Sequence, residues 1–188
     1  GLSWASSTVV NNVFLVFSFT QTDQMVRSTN NAVNFIQITL PVSAKWAYVT
    51  SNFDTAVAVS RSGDSAVYSV DDGISWTLTQ LPVTESWVSV VPLDDRFFAI
   101  ATDGVTASSK LSDLNTWQLQ RELPTSTHEY VSMTSTLATI VVLAAKTATE
   151  PAFYVLSSDR GLNWSIEQNL DADVDWTTIG RWPWAISL

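Results

Sequence analysis

The sequence predicts an all-β protein built from a repeated four-stranded unit, on three observations. One pattern returns four times at intervals of about 41 to 47 residues. Each unit holds four short runs rich in Val, Ile, Thr and aromatic residues, bounded by Gly, Asp, Asn, Ser or Pro. No segment sustains an apolar period of 3.6 residues with caps at its ends, so no helix is expected. Four strands per unit of about 40 residues, in tandem, is the arithmetic of a β-propeller blade.

Aromatic residues mark where each unit begins. Trp46, Trp87 and Tyr130 each follow a Leu-Pro pair by five to six residues, and Trp4 and Trp176 hold the same place at the front and the back. The units therefore run 4–45, 46–86, 87–129 and 130–175 within one domain, 1–188, and an incomplete fifth covers 176–188. In the second unit the strands are expected at 46–50, 55–60, 66–70 and 76–81. The second run is the most apolar in every unit: Phe14 to Phe17, Ala56 to Val59, Phe97 to Ile100 and Thr139 to Ala144. A strand apolar on both faces belongs between layers. The fourth run alternates apolar and polar residues and is expected to end at Pro41, Pro82 or Pro124.

Between the third and fourth runs lies the sharpest part of the repeat. Ser69, Asp71, Gly73 and Trp76, and again Ser157, Asp159, Gly161 and Trp164, spell Ser-x-Asp-x-Gly-x-x-Trp. A weaker copy has Ser28, Asn30, Ala32 and Phe35, and the stretch from Lys110 to Trp117 keeps only the Trp in register. This motif resembles the Asp-box, the bacterial neuraminidase repeat of sialidases and many other propellers, and the resemblance spans residues 4–175. It implies a turn between the third and fourth strands, in which Asp accepts backbone N–H bonds, Gly supplies a positive φ, and Trp opens the last strand by packing on the neighbouring sheet. The whole unit, best seen from Trp46 to Pro82, is also similar to tandem propeller repeats of bacteriophage tail and virion proteins. That likeness implies a virion or extracellular setting.

Composition narrows the partners. The chain has 188 residues, 46% of them apolar, no Cys, and 18 Asp and Glu against nine Lys and Arg, for a formal charge of −9. Its basic residues, among them Lys45, Arg61, Lys110, Lys146 and Arg181, are scattered, which argues against nucleic acid and anionic membranes. The longest nearly apolar run, Leu137 to Ala145, is far short of the roughly 20 residues that span a bilayer, so no membrane insertion is expected. Thiol chemistry and disulfides are excluded. Gly1 in place of Met, with no signal-type segment after it, suits a processed or partial product.

Each residue with chemical potential has a plainer reading beside it. Asp71 and Asp159 suit hard cations, but nothing nearby has the dense oxygen spacing of a calcium loop, so they are expected to satisfy donors in their own turns. Asp171, Asp173 and Asp175 alternate along one segment and read as a solvated acidic loop. His128, the one histidine, stands beside Glu129 in a loop and is expected to be exposed, with no Ser-His-Asp order around it. A sialidase needs an arginine cluster, a tyrosine nucleophile and carboxylates, and no Arg-Ile-Pro segment precedes the first box. Packing explains the Trp residues in repeat register; Trp182 and Trp184 are expected to bury against the first blade.

The expectation is a non-enzymatic structural and interaction module, without cofactor or metal, that joins other virion or assembly subunits or a host-surface glycan. The alternative is a fragment of a secreted Asp-box glycosidase whose catalytic residues lie elsewhere. Propellers bind on the face opposite the box turns, which here carries the loop candidates Arg61, Asp64, Glu85, His128 and Glu129.

Overall fold

The computed structural model describes residues 1–124, 127–165 and 168–170. The expected fifth unit, with Trp176, Trp182 and Trp184, and the acidic segment Asp171 to Asp175 lie outside them. Every regular element described is a strand. Blade 1 holds β1 (Trp4–Val10), β2 (Val13–Ser18), β3 (Thr22–Ser28) and β4 (Ile36–Ala44). Blade 2 holds β5 (Trp46–Asn52), β6 (Thr55–Ser60), β7 (Gly63–Ser69) and β8 (Thr77–Glu85). Blade 3 holds β9 (Trp87–Pro92), β10 (Arg96–Ala101), β11 (Thr106–Lys110) and β12 (Asp113–Leu119). Blade 4 holds β13 (Tyr130–Ser135), β14 (Ile140–Ala144), β15 (Phe153–Ser157) and β16 (Gln168–Asn169). Each blade is an antiparallel meander whose strands lie in chain order.

The inner strands β1, β5, β9 and β13 pack side by side in that sequence, and no comparable packing joins β1 to β13. The array is therefore a series of three joints. Each blade has a leading face toward the blade before it and a trailing face toward the blade after it, and successive residues of a strand alternate between them. Leu15 and Phe17 of blade 1 trail onto Ala56, Ala58 and Val67 of blade 2. Val57, Val59 and Ala66 trail onto Phe97 and Ala99. Phe98 and Ile100 trail onto Ile140, Val142 and Val155. Large side chains meet small ones across the first two joints, which lets the sheets approach closely at native packing density. This explains the doubly apolar second strand: all six residues of β6 are buried because both of its faces are joints.

Three details differ from the sequence expectation. β4 and β8 run through Pro41 and Pro82 instead of ending there. Both prolines lie where the ladder register shifts on an outermost strand, so no hydrogen-bond donor is missed. Trp76 immediately precedes β8 rather than opening it, and Trp164 lies ahead of β16. In blade 3 the box is replaced by a tight hairpin through Leu111 and Ser112, with the Ser109 hydroxyl donating to the Asp113 carbonyl at 2.9 Å and Trp117 still buried.

Candidate functional site

The box turns share one hydrogen-bond scheme. Ser69 Oγ donates to Asp71 Oδ1 at 2.8 Å and accepts the Gly73 N–H at 2.9 Å, while Asp71 accepts both the N–H and the hydroxyl of Ser75. Ser157, Asp159, Gly161 and Asn163 repeat it bond for bond. The degenerate copy keeps it too: Ser28 Oγ accepts the Ala32 N–H, and Asn30 Oδ1 accepts the Asn34 N–H. Ala32 there holds φ +63°, a left-handed conformation that glycine adopts without strain. The carboxylates are consumed by their own turns. Partial burial would raise the Asp71 carboxyl, but hydrogen bonds from Ser75, Ser69 and the Ile74 backbone outweigh it and hold it below its ordinary value. Asp159 is held low chiefly by the Asn163 side chain and backbone.

Glycine has a second reason to stand in the box. A Cβ on Gly161 would lie 2.5 Å from Cε2 of Phe98, and one on Gly73 would run into Leu15. Phe98 and Leu15 are equivalent residues of β10 and β2, so each box turn sits on the trailing face of the preceding blade. The box tryptophans do the same: Trp76 stands edge-on to Phe17 at 5.1 Å, and Trp164 packs on Phe98 at 6.0 Å. Polar ties complete the contact, from Asn11 Nδ2 to Asp72 Oδ1 at 2.9 Å and from Arg160 to Asp94 at 3.3 Å. The boxes are joint hardware.

The loop candidates at the other end fall into two separate groups. Arg61 stacks its guanidinium over the Phe19 ring at 5.3 Å, and Asp64 and Glu85 lie beside it where Gly63 pairs with Glu85. Exposed Glu129 stands at the entry to blade 4. His128 is a correction, because it is buried: Nε2 lies 3.1 Å from the Pro151 carbonyl, the ring meets Phe153 edge-on at 4.9 Å, and Nδ1 lies 3.6 Å from Glu150. The connection from β14 to β15 folds over it, which the sequence pattern does not reveal. Among the described residues, no three His, Asp or Glu side chains are grouped to hold a metal.

The surface most unlike an ordinary exterior is the leading face of blade 1. Trp4 is 47% exposed, although its counterparts Trp46, Trp87 and Tyr130 are 0% exposed under the preceding blade. Val9 pairs across the strands with Phe14, and Val16 with Val26. Val9 is exposed and the other three are half-buried, whereas Ala56, Ala58, Phe97, Ala99, Ile140 and Val142, which stand where Phe14 and Val16 stand, are sealed. Phe35, in the place of the box tryptophans, is 44% exposed, with no described blade packed on it. Among the described residues, no blade lies on this face.

No protein-family model matches the sequence, and a comparison with curated proteins finds no match. Solved structures do match in fold. YCF48 from Cyanidioschyzon merolae superposes with a TM-score of 0.69 at 10% identity, over 92% of this chain and 57% of that one. The GH74 xyloglucanase from Xanthomonas campestris gives 0.62 at 13% identity, over 92% of this chain and 30% of that one. A chain of the nidogen/laminin complex gives 0.65 at 8% identity, over 86% and 63%. These neighbours are propellers. The chain is built as a β-propeller. It spans little more than half the length of the YCF48 chain and under a third of the xyloglucanase, and the likeness to each is one of fold.

Proposed function

We propose that this chain is a non-enzymatic interaction module, a propeller of the Asp-box type that works inside a virion or extracellular assembly. The observation that carries the reading is the leading face of blade 1, where Trp4, Phe14, Val16 and Val26 hold positions that every other blade buries, with exposed Val9 beside them. An open apolar sheet face of this kind marks a site of association. The box carboxylates support the non-enzymatic side, since their lone pairs are engaged inside their own turns. The virion setting draws its support from the tandem texture of the repeats, and a glycan partner would use the opposite loop face around Arg61.

The test uses the lack of native cysteine. A Val16→Cys variant of the full chain should react with a bulky maleimide rapidly in dilute solution and slowly once assembled. Slow labelling of a dilute monomer would mean that the chain covers its own face, and the reading would fail. The purified chain should also leave sialosides and aryl glycosides unhydrolysed. Turnover abolished by a single carboxylate substitution would establish the glycosidase instead.

A further inference from the structure

We infer that the end of the blades that carries the box turns is a docking surface for a partner protein whose apolar surface is bordered by Lys or Arg. It is separate from the open face of blade 1, and the two surfaces stand or fall independently. In each meander the turn from first to second strand and the turn from third to fourth emerge at the same end. Among the described residues, the large apolar side chains most open to solvent are Phe53, Val33, Leu137, Leu162, Ile74 and Val70, from 81% down to 61%, and all of them lie in these turns. In the described turns of the opposite end the most exposed is Phe19, at 39%. Apolar exposure gathered at one end marks a surface of interaction.

Val33, Ile74 and Leu162 hold one place in the box. Each follows the Asn or Asp of its box by three residues and donates its N–H to that residue's carbonyl, at 3.2 Å in the first two and 3.4 Å in the third. The turn thus closes beneath a side chain that stays outside it. Neighbouring turns are tied together, Asn11 to Asp72, Asn52 Nδ2 to the Leu93 carbonyl at 3.4 Å, and the Asp94 N–H to the Leu137 carbonyl at 3.3 Å. They form one layer that is ordered before a partner arrives, which lowers the cost of binding. Phe53 is an independent sign. It opens the turn from β5 to β6 at φ +49°, a left-handed conformation that bulky residues rarely hold, where blade 1 has Asn11 at φ +45°. Folding and solubility both oppose an exposed phenyl ring there, and strain retained in this way points to function.

Charge selects the partner. The turns that bear these apolar residues hold Asp54, Asp71, Asp72 and Asp159 and one basic residue, Arg160, which is paired with Asp94. Such a layer repels a second copy of itself, nucleic acid and anionic lipid. A neutral bilayer would take up the apolar tips only by burying carboxylates without a cation beside them. A protein that sets Lys or Arg around an apolar surface meets both features.

The probe is a fluorescent amphipathic helical peptide with leucines along one face bordered by lysines, titrated with the full chain at physiological salt and read by anisotropy. The wild type should bind it. A variant carrying Val33→Ser, Ile74→Ser and Leu162→Ser should bind about tenfold more weakly or worse, and so should the wild type with a peptide that has serine for leucine. Phe53→Asn should weaken binding while raising Tm, a pair of changes that a merely structural residue would not give. If the triple variant loses its β-sheet circular dichroism, Phe53→Asn carries the test. No binding by the wild type, or unchanged binding by the variants, would overturn the proposal. So would capture of phosphatidylcholine vesicles that the triple variant abolishes, because the tips would then belong to a lipid surface. Slow maleimide labelling of Ile74→Cys in the free chain would also overturn it, since the chain would be covering its own turns. Loss of peptide binding in Val16→Ser, with the triple variant unaffected, would move the peptide to the open face of blade 1 and leave that reading standing without this one.

Discussion

At the residue scale, the box glycine is the most constrained position in the fold. Gly161 holds φ +86° and faces the ring of Phe98, which is 1% exposed and has no room to swing away. Gly161→Ala is therefore expected to cost about 2 kcal/mol or more, from backbone strain and overpacking together. In a domain of this size that is a fall in Tm of about 4 to 8 °C, read by calorimetry. Gly73→Ala should cost less, since it meets the end of the more adaptable Leu15. Asp71→Ala leaves the Ser75 N–H and hydroxyl and the Ser69 hydroxyl without their acceptor, and should cost about 1 kcal/mol in denaturant melts. Both box carboxyls have folded values below their unfolded ones. Their stabilisation is therefore complete above the ordinary carboxyl value of about 3.9 and is lost as pH falls through the folded value. Melting at pH 7 and pH 3 should show a smaller acid loss in the Asp71→Asn, Asp159→Asn double variant than in the wild type; an equal loss would assign acid sensitivity to other groups.

At the scale of elements, the joint between blades is the unit of stability. Phe98 touches the box glycine, Trp164 and the apolar cluster of blade 4. Phe98→Ala should cost about 3 to 5 kcal/mol by leaving a cavity in the joint. Arg160→Ala, which removes exposed ion pairs to Asp94 and Asp95 across the same joint, should cost under about 1 kcal/mol. Denaturant titration of the two separates packing from charge as the force that holds blades together. These elements were legible in the sequence because their signals are local: strand alternation, the Ser-x-Asp-x-Gly-x-x-Trp turn and the aromatic at each unit's start. The run of β4 and β8 through proline was not, because a proline on an edge strand meets no forbidden bond, and nothing in the strand pattern says which strand is the edge. The burial of His128 was hidden for a related reason, as it depends on a connection more than twenty residues away folding back over the ring.

At the scale of the whole molecule, the repeat foretells blades but is silent on whether a ring closes. The alternation that places Phe14 and Val16 on one face is the same alternation that places Ala56 and Ala58 in a sealed joint, so no pattern within a unit distinguishes a covered face from an open one. Only the stacking of β1, β5, β9 and β13 shows that, among the described residues, the leading face of blade 1 is open. The loop candidates around Arg61 and His128 and the expected open edge at 176–188 lie elsewhere in the sequence from the exposed apolar sheet face at Trp4, Val9, Phe14 and Val16. The central claim is that this face exists to receive a blade. A cryo-EM structure of the full chain in its assembled state tests it most directly. The expected result is a four-stranded blade packed against Trp4, Val9, Phe14 and Val16, in the same trailing-to-leading manner as the three joints described. A stable particle in which those residues face solvent, or in which the four sheets form a single sandwich, would contradict it.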